Sequence, residues 1–125
     1  MEEGFEPFTF GNVGASVSIT KNGVTFSKNA VDKIGRPAAV LLWVSRSLCQ
    51  FAIKPCSINE MNAIPFLVPD SKSPSVRWNN KEFLKLISSL MKWDLKSCGG
   101  YKVSGAYNRQ DKTLTFDLNN AFPIS

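Results

Sequence analysis

The chain contains no histidine, no C-x-x-C pair among its three cysteines, and no apolar run longer than the seven residues 38–44. Without histidine, the one side chain that titrates near neutrality, Ser-His-Asp triads, Cys-His pairs and imidazole metal sites are all excluded. Cys49, Cys56 and Cys98 are odd in number and unpaired in spacing, so neither a disulfide framework nor a thiolate zinc site is indicated. The longest apolar run is far too short to span a bilayer, and Glu2, Glu3 and Glu6 stand where a secretory signal carries basic residues. The expectation is a cytoplasmic protein with no membrane partner.

Acidic residues are also sparse. The ten carboxylates occur singly apart from Glu2 and Glu3, and no pair is spaced to flank a substrate as acid and base. Ser27 beside Lys28 invites comparison with a nucleophile and its base, but adjacent positions on an extended strand face opposite ways. A helix cap followed by a surface charge accounts for the pair more simply. The expectation is therefore a non-enzymatic protein, with no catalytic residue, metal ligand or cofactor assigned.

What is present is an ordinary globular composition, 43% hydrophobic and 20% charged over 125 residues, enough for one domain with a core. Residues 1–16 read as an N-terminal arm, in which Phe5, Phe8 and Phe10 precede Gly11 and Gly14. From Val17 onward, an order of short strand, short helix and β-hairpin occurs twice. In unit one (17–55), Val17, Ile19, Val24 and Phe26 alternate with polar residues around Asn22-Gly23, the dipeptide of a type I′ turn. Ser27 caps a helix over 28–34 that Gly35 stops, and apolar runs over 38–45 and 48–54 form a second, largely buried hairpin in which Cys49 alternates into the core.

Residues 56–75 form a proline-rich connector, with Ile64, Phe66, Leu67 and Val68 draped over the core. Unit two (76–118) has a strand over 76–78, a helix from Lys81 to about Trp93 capped by Asn79 or Asn80, and a hairpin over 101–107 and 113–118. The fold class expected is α+β: two β-α-β-β units with short helices packed on hairpins, within one domain over 17–125.

The charge is unevenly spread. Lys72, Arg77, Lys81, Lys85, Lys92, Lys96 and Lys102 face only Glu82 and Asp94 within 72–102, so this stretch alone matches the net charge of +5. On a helix Lys81, Lys85 and Lys92 fall within about 40° of one another, opposite the apolar face, and Arg77 extends the stripe toward the strand. Like charges so close gain nothing from one another, and nucleic-acid phosphate is the commonest polyanion to compensate them. The alternative is a solvated face on a mildly basic protein. Trp43, Trp78 and Trp93 offer rings for base stacking, but all three sit in apolar elements and read as core.

The run Asn22-Gly23-Val24-Thr25-Phe26-Ser27-Lys28-Asn29-Ala30-Val31-Asp32-Lys33-Ile34-Gly35, closed by Ile53-Lys54-Pro55, resembles the swapped-hairpin AbrB superfamily of bacterial regulators. The resemblance covers residues 22–55. It implies a β-α-β-β unit that exchanges hairpins with a second copy and grips DNA near the strand-helix junction, either as a homodimer or, with the second unit, as an internal pseudo-dimer. Ser27 replaces the proline of that pattern, and Val31 and Asp32 occupy the positions of its phosphate-binding arginines. Lys21, Lys28, Lys33 and Arg36 are left as replacements.

The function expected is a small DNA-binding regulator of bacterial or phage type that contacts duplex phosphates through Lys28, Lys33, Arg36, Arg77, Lys81, Lys85 and Lys92. The competing expectation is a protein-interaction module without nucleic-acid binding, docking through the apolar connector if that segment is exposed.

Overall fold

Period-two alternation of apolar residues makes antiparallel strands the dominant secondary structure. The computed structural model describes residues 15–68 and 72–124. Residues 1–14 of the expected arm lie outside these, while Ser16 opens the first strand. In chain order the elements are β1 (Ser16–Thr20), β2 (Gly23–Phe26), α1 (Lys28–Lys33), β3 (Ala39–Ser45), β4 (Gln50–Cys56), β5 (Ile64–Pro65), β6 (Val76–Trp78), α2 (Lys81–Met91), β7 (Tyr101–Asn108), β8 (Thr113–Asp117) and β9 (Phe122–Pro123).

The expected α+β fold of two β-α-β-β units, with its internal pseudo-dimer, is overturned by the strand pairing. The strands form one mostly antiparallel sheet, ordered β5-β3-β4-β8-β7-β1-β2-β6 with β9 beside β7, which curls into a half-barrel. Strands 17–26 and 39–56, expected to form one unit, lie on opposite sides of the β7–β8 hairpin. The continuity of the sheet runs through β1·β7, β2·β6 and β4·β8, pairings between segments distant in sequence. Local patterning determines where strands occur but not which strands pair. With helices of only six and eleven residues, the sheet itself encloses most of the core.

The register explains the core. Val44, Phe51, Phe116 and Gly105 align across β3, β4, β8 and β7, and Leu42, Ile53, Leu114 and Tyr107 form the next row. In the other half of the sheet the rows are Val103, Val17, Phe26 and Val76, then Tyr101, Ile19, Val24 and Trp78. β7 belongs to both halves, pairing with β1 through Ser104 and with β8 from Gly105 onward. A side chain at Gly105 would lie 2.9 Å from both Leu114 and Phe116, so the crossing point is bare. Phe26 is the hub, its ring centroid 4.8 Å from Trp78, 5.3 Å from Phe66, 5.8 Å from Phe116 and 6.5 Å from Phe51.

Several local expectations are refined. The first hairpin turns at Lys21-Asn22 and pairs Thr20 with Gly23, so the turn is not centred on Asn22-Gly23. Gly23 instead sits at φ +146°, where an added Cβ would approach the Trp78 carbonyl oxygen to 2.6 Å. The glycine lets β6 pack beside β2. Gly23→Ala is expected to cost about 1–3 kcal/mol through backbone strain and overpacking, measured by urea denaturation.

Ser27 is the N-cap of α1. Its hydroxyl oxygen accepts from the Ala30 amide at 3.1 Å and from the Ser16 amide at 3.0 Å, tying the helix to the buried start of β1. Ser27→Ala is expected to destabilise by about 1–2 kcal/mol in the same assay. Lys28 forms an ion pair with Asp32.

Cys49 packs against the core but lies in the β3–β4 turn at φ +54°, ahead of the strand. The hairpin is less buried than expected, for Trp43 is 51% exposed. In the connector Phe66 is buried and Leu67 packs on the core, whereas Val68 is exposed; Pro69 lies outside the described residues.

Candidate nucleic-acid interface

α2 is amphipathic by sequence and is used that way. Phe83 and Ile87 enter the core, while Lys81, Glu82, Lys85 and Ser89 face solvent. Asn80 caps the helix, its side-chain oxygen accepting from the Phe83 amide at 2.9 Å. The helix ends at Met91 because Lys92 turns into the left-handed conformation, φ +56°, and the Trp93 amide returns to the Ser88 carbonyl at 3.0 Å. Lys92 therefore leaves the helical stripe.

Beyond that turn the chain doubles back beside α2. Trp93 stacks on Tyr101 with centroids 3.9 Å apart and planes 11° from parallel, and Leu95 is buried. Asp94 closes the segment on itself, accepting from the Ser97 hydroxyl at 2.7 Å and from the Lys96 amide at 3.1 Å. These bonds, the Ser97 one first, hold its carboxyl below the ordinary carboxylate range. Burial pushes the Tyr101 phenol above its usual value.

The result is a cleft of about 430 Å³, whose lining includes Lys21, Lys81, Lys85, Lys96, Trp93 and Asp94. Lys21 arrives from the β1–β2 turn and Lys96 from the segment after α2. Four lysines and one carboxylate, already hydrogen-bonded, thus line the same cleft. Among the described residues both ion pairs fall elsewhere, on Asp32.

The expected contact residues fall in separate places. Lys81 and Lys85 come together in the cleft. Lys28 and Arg36 are both held by Asp32 at 3.1 Å, and Arg36 also donates to the Ser73 carbonyl at 2.8 Å. These two cations, Lys28 first, lower the Asp32 carboxyl. Lys33 lies over the Tyr107 ring, 5.6 Å from its centroid. Arg77 on β6 donates from Nε to Thr25 Oγ1 at 3.3 Å, outside the cleft.

Lys21, expected only as a stand-in for the missing arginines of the AbrB-like pattern, is not among the seven expected contacts. It sits in a turn remote in sequence from α2, and only the pairing of β1 with β7 and of β2 with β6 carries it there.

No protein-family model, curated protein or solved structure matches the chain. Among the described residues no helix is long and apolar enough to cross a membrane, and no cluster of Cys, Asp and Glu is arranged to hold a metal ion.

Proposed function

We propose that the protein is a small DNA-binding regulator of bacterial or phage type that seats the phosphates of a duplex along the cleft between α2 and the β1–β2 turn. Four lysines and a single, internally bonded carboxylate lining one cleft carry this reading. A surface with that imbalance attracts a polyanion and gains from release of its counterions.

Duplex backbone fits better than a splayed single strand. Single-strand sites need free aromatic faces for bases, and the one ring lining this cleft, Trp93, already has a face covered by Tyr101. Trp43, the exposed tryptophan, does not line it.

The rival reading, a protein-interaction module docking through the connector, is weakened at Phe66, which is only 8% exposed and packs on Phe26 and Trp78, while Leu67 is half-buried and Val68 exposed. The test is a fluorescence-anisotropy titration of a labelled duplex. Binding at low salt that weakens steeply as salt rises is expected; the absence of binding at about 50 mM salt would refute the proposal.

A further inference from the structure

The sheet has an open edge. β3 pairs with β5 only at Ala39 and Val40, so among the described residues positions 41–45 have β4 on one side and no strand on the other. These residues, Leu-Leu-Trp-Val-Ser, carry no charge and no proline, and their register with β4 is unbroken by a bulge. Natural sheets usually protect edge strands with one of those devices, and this edge has none of them. At the other end of the sheet β6 is only three residues long and bears Arg77.

The edge is also lined with apolar groups. A slot of about 370 Å³ bounded by Leu41, Leu42, Trp43, Met61 and Asn62 runs beside it. Trp43 is 51% exposed and Met61 84%, and four of the six exposed large hydrophobic side chains among the described residues lie between positions 43 and 61.

We propose that this edge is a dimerisation site whose occupant is a second copy of the chain, with residues 41–45 of the two copies pairing antiparallel about Trp43. Such a pairing is self-complementary: a two-fold axis at Trp43 sets Leu41 opposite Ser45 of the second copy and Trp43 opposite its equivalent. The segment brings no charge to the seam, which suits two chains that each carry a net charge of +5. Pairing satisfies the backbone groups of the open edge and covers Trp43 and Met61. The slot gives the incoming strand room beyond the end of β5. The proposal does not depend on nucleic-acid binding.

Sedimentation velocity on the full chain, without nucleic acid and at up to about 100 µM, is expected to show a monomer-dimer equilibrium in the micromolar range. Trp43→Lys places a charge at an exposed position where folding does not require tryptophan, and is expected to weaken the dimer by at least about tenfold with an unchanged far-UV circular dichroism spectrum. Geometry supplies a second readout. With the three native cysteines replaced by serine, Trp43→Cys is expected to crosslink two chains under mild oxidation, because positions 43 face each other across the axis, whereas Ala52→Cys, one strand away on the same face, is not. A monomer at the highest concentration, or a dimer unaffected by Trp43→Lys and equally crosslinked from position 52, would overturn the proposal.

Discussion

Phe26→Ala is expected to lower the free energy of unfolding by about 3–5 kcal/mol, the range for deleting a buried aromatic ring and leaving its cavity. Phe26 is fully buried, and its ring meets Phe51 of β4, Phe116 of β8, Phe66 of the connector and Trp78 of β6. Phe51 and Phe116 come from the other half of the curled sheet, Phe66 from the connector and Trp78 from the adjacent strand, so the ring fills the space between them. Small domains have only about 5–15 kcal/mol to lose, so the variant gives up a large share of its stability. Phe26→Leu, which keeps most of the volume, should cost far less. Urea denaturation followed by tryptophan fluorescence distinguishes the two; a loss below about 1 kcal/mol for Phe26→Ala would show that Phe26 is not the hub of the core.

The second large effect concerns binding. Reversing two charges by Lys81→Glu with Lys85→Glu is expected to weaken duplex binding about 10²-fold at low salt, since two phosphate contacts are lost and two repulsions gained. Both side chains are exposed on α2, whose core contacts come from Phe83 and Ile87, so the fold should persist. Lys28→Ala with Arg36→Ala should have a much smaller effect, because both groups are already engaged by Asp32. Anisotropy titrations of the two double variants against the same duplex check the contrast.

Much of the local structure is legible in the sequence because its causes are local. β6 falls at 76–78 as the Val-Arg-Trp alternation indicates, and Ser27 and Asn80 cap their helices because each offers an oxygen to an amide three residues on. The pairing of strands is not legible. Phe51 aligns with Phe116 and Val17 with Val103, and nothing in either alternating run identifies its neighbour among several similar runs. That is why a repeated order of elements suggests two units where the chain interleaves its strands into one sheet.

The candidate site follows the same division. Lys81 and Lys85 are predictable from helical spacing, whereas Lys92 is misplaced by it because the backbone turns left-handed there. Lys21 and Lys96 reach the cleft only through the turn and the returning segment that tertiary pairing positions. Trp43 reads as core from its apolar run, yet it stands on the outer face of an edge that only the sheet order reveals.

The most direct test of the central claim is the salt dependence of duplex affinity for the wild-type chain, for Lys81→Ala with Lys85→Ala, and for Lys28→Ala with Arg36→Ala. Each phosphate contact contributes about 0.9 to the slope of log affinity against log salt. If phosphates seat in the cleft, the α2 pair reduces that slope by about 2 while the α1 pair leaves it nearly unchanged. Equal slopes for the wild type and the α2 pair would contradict the account.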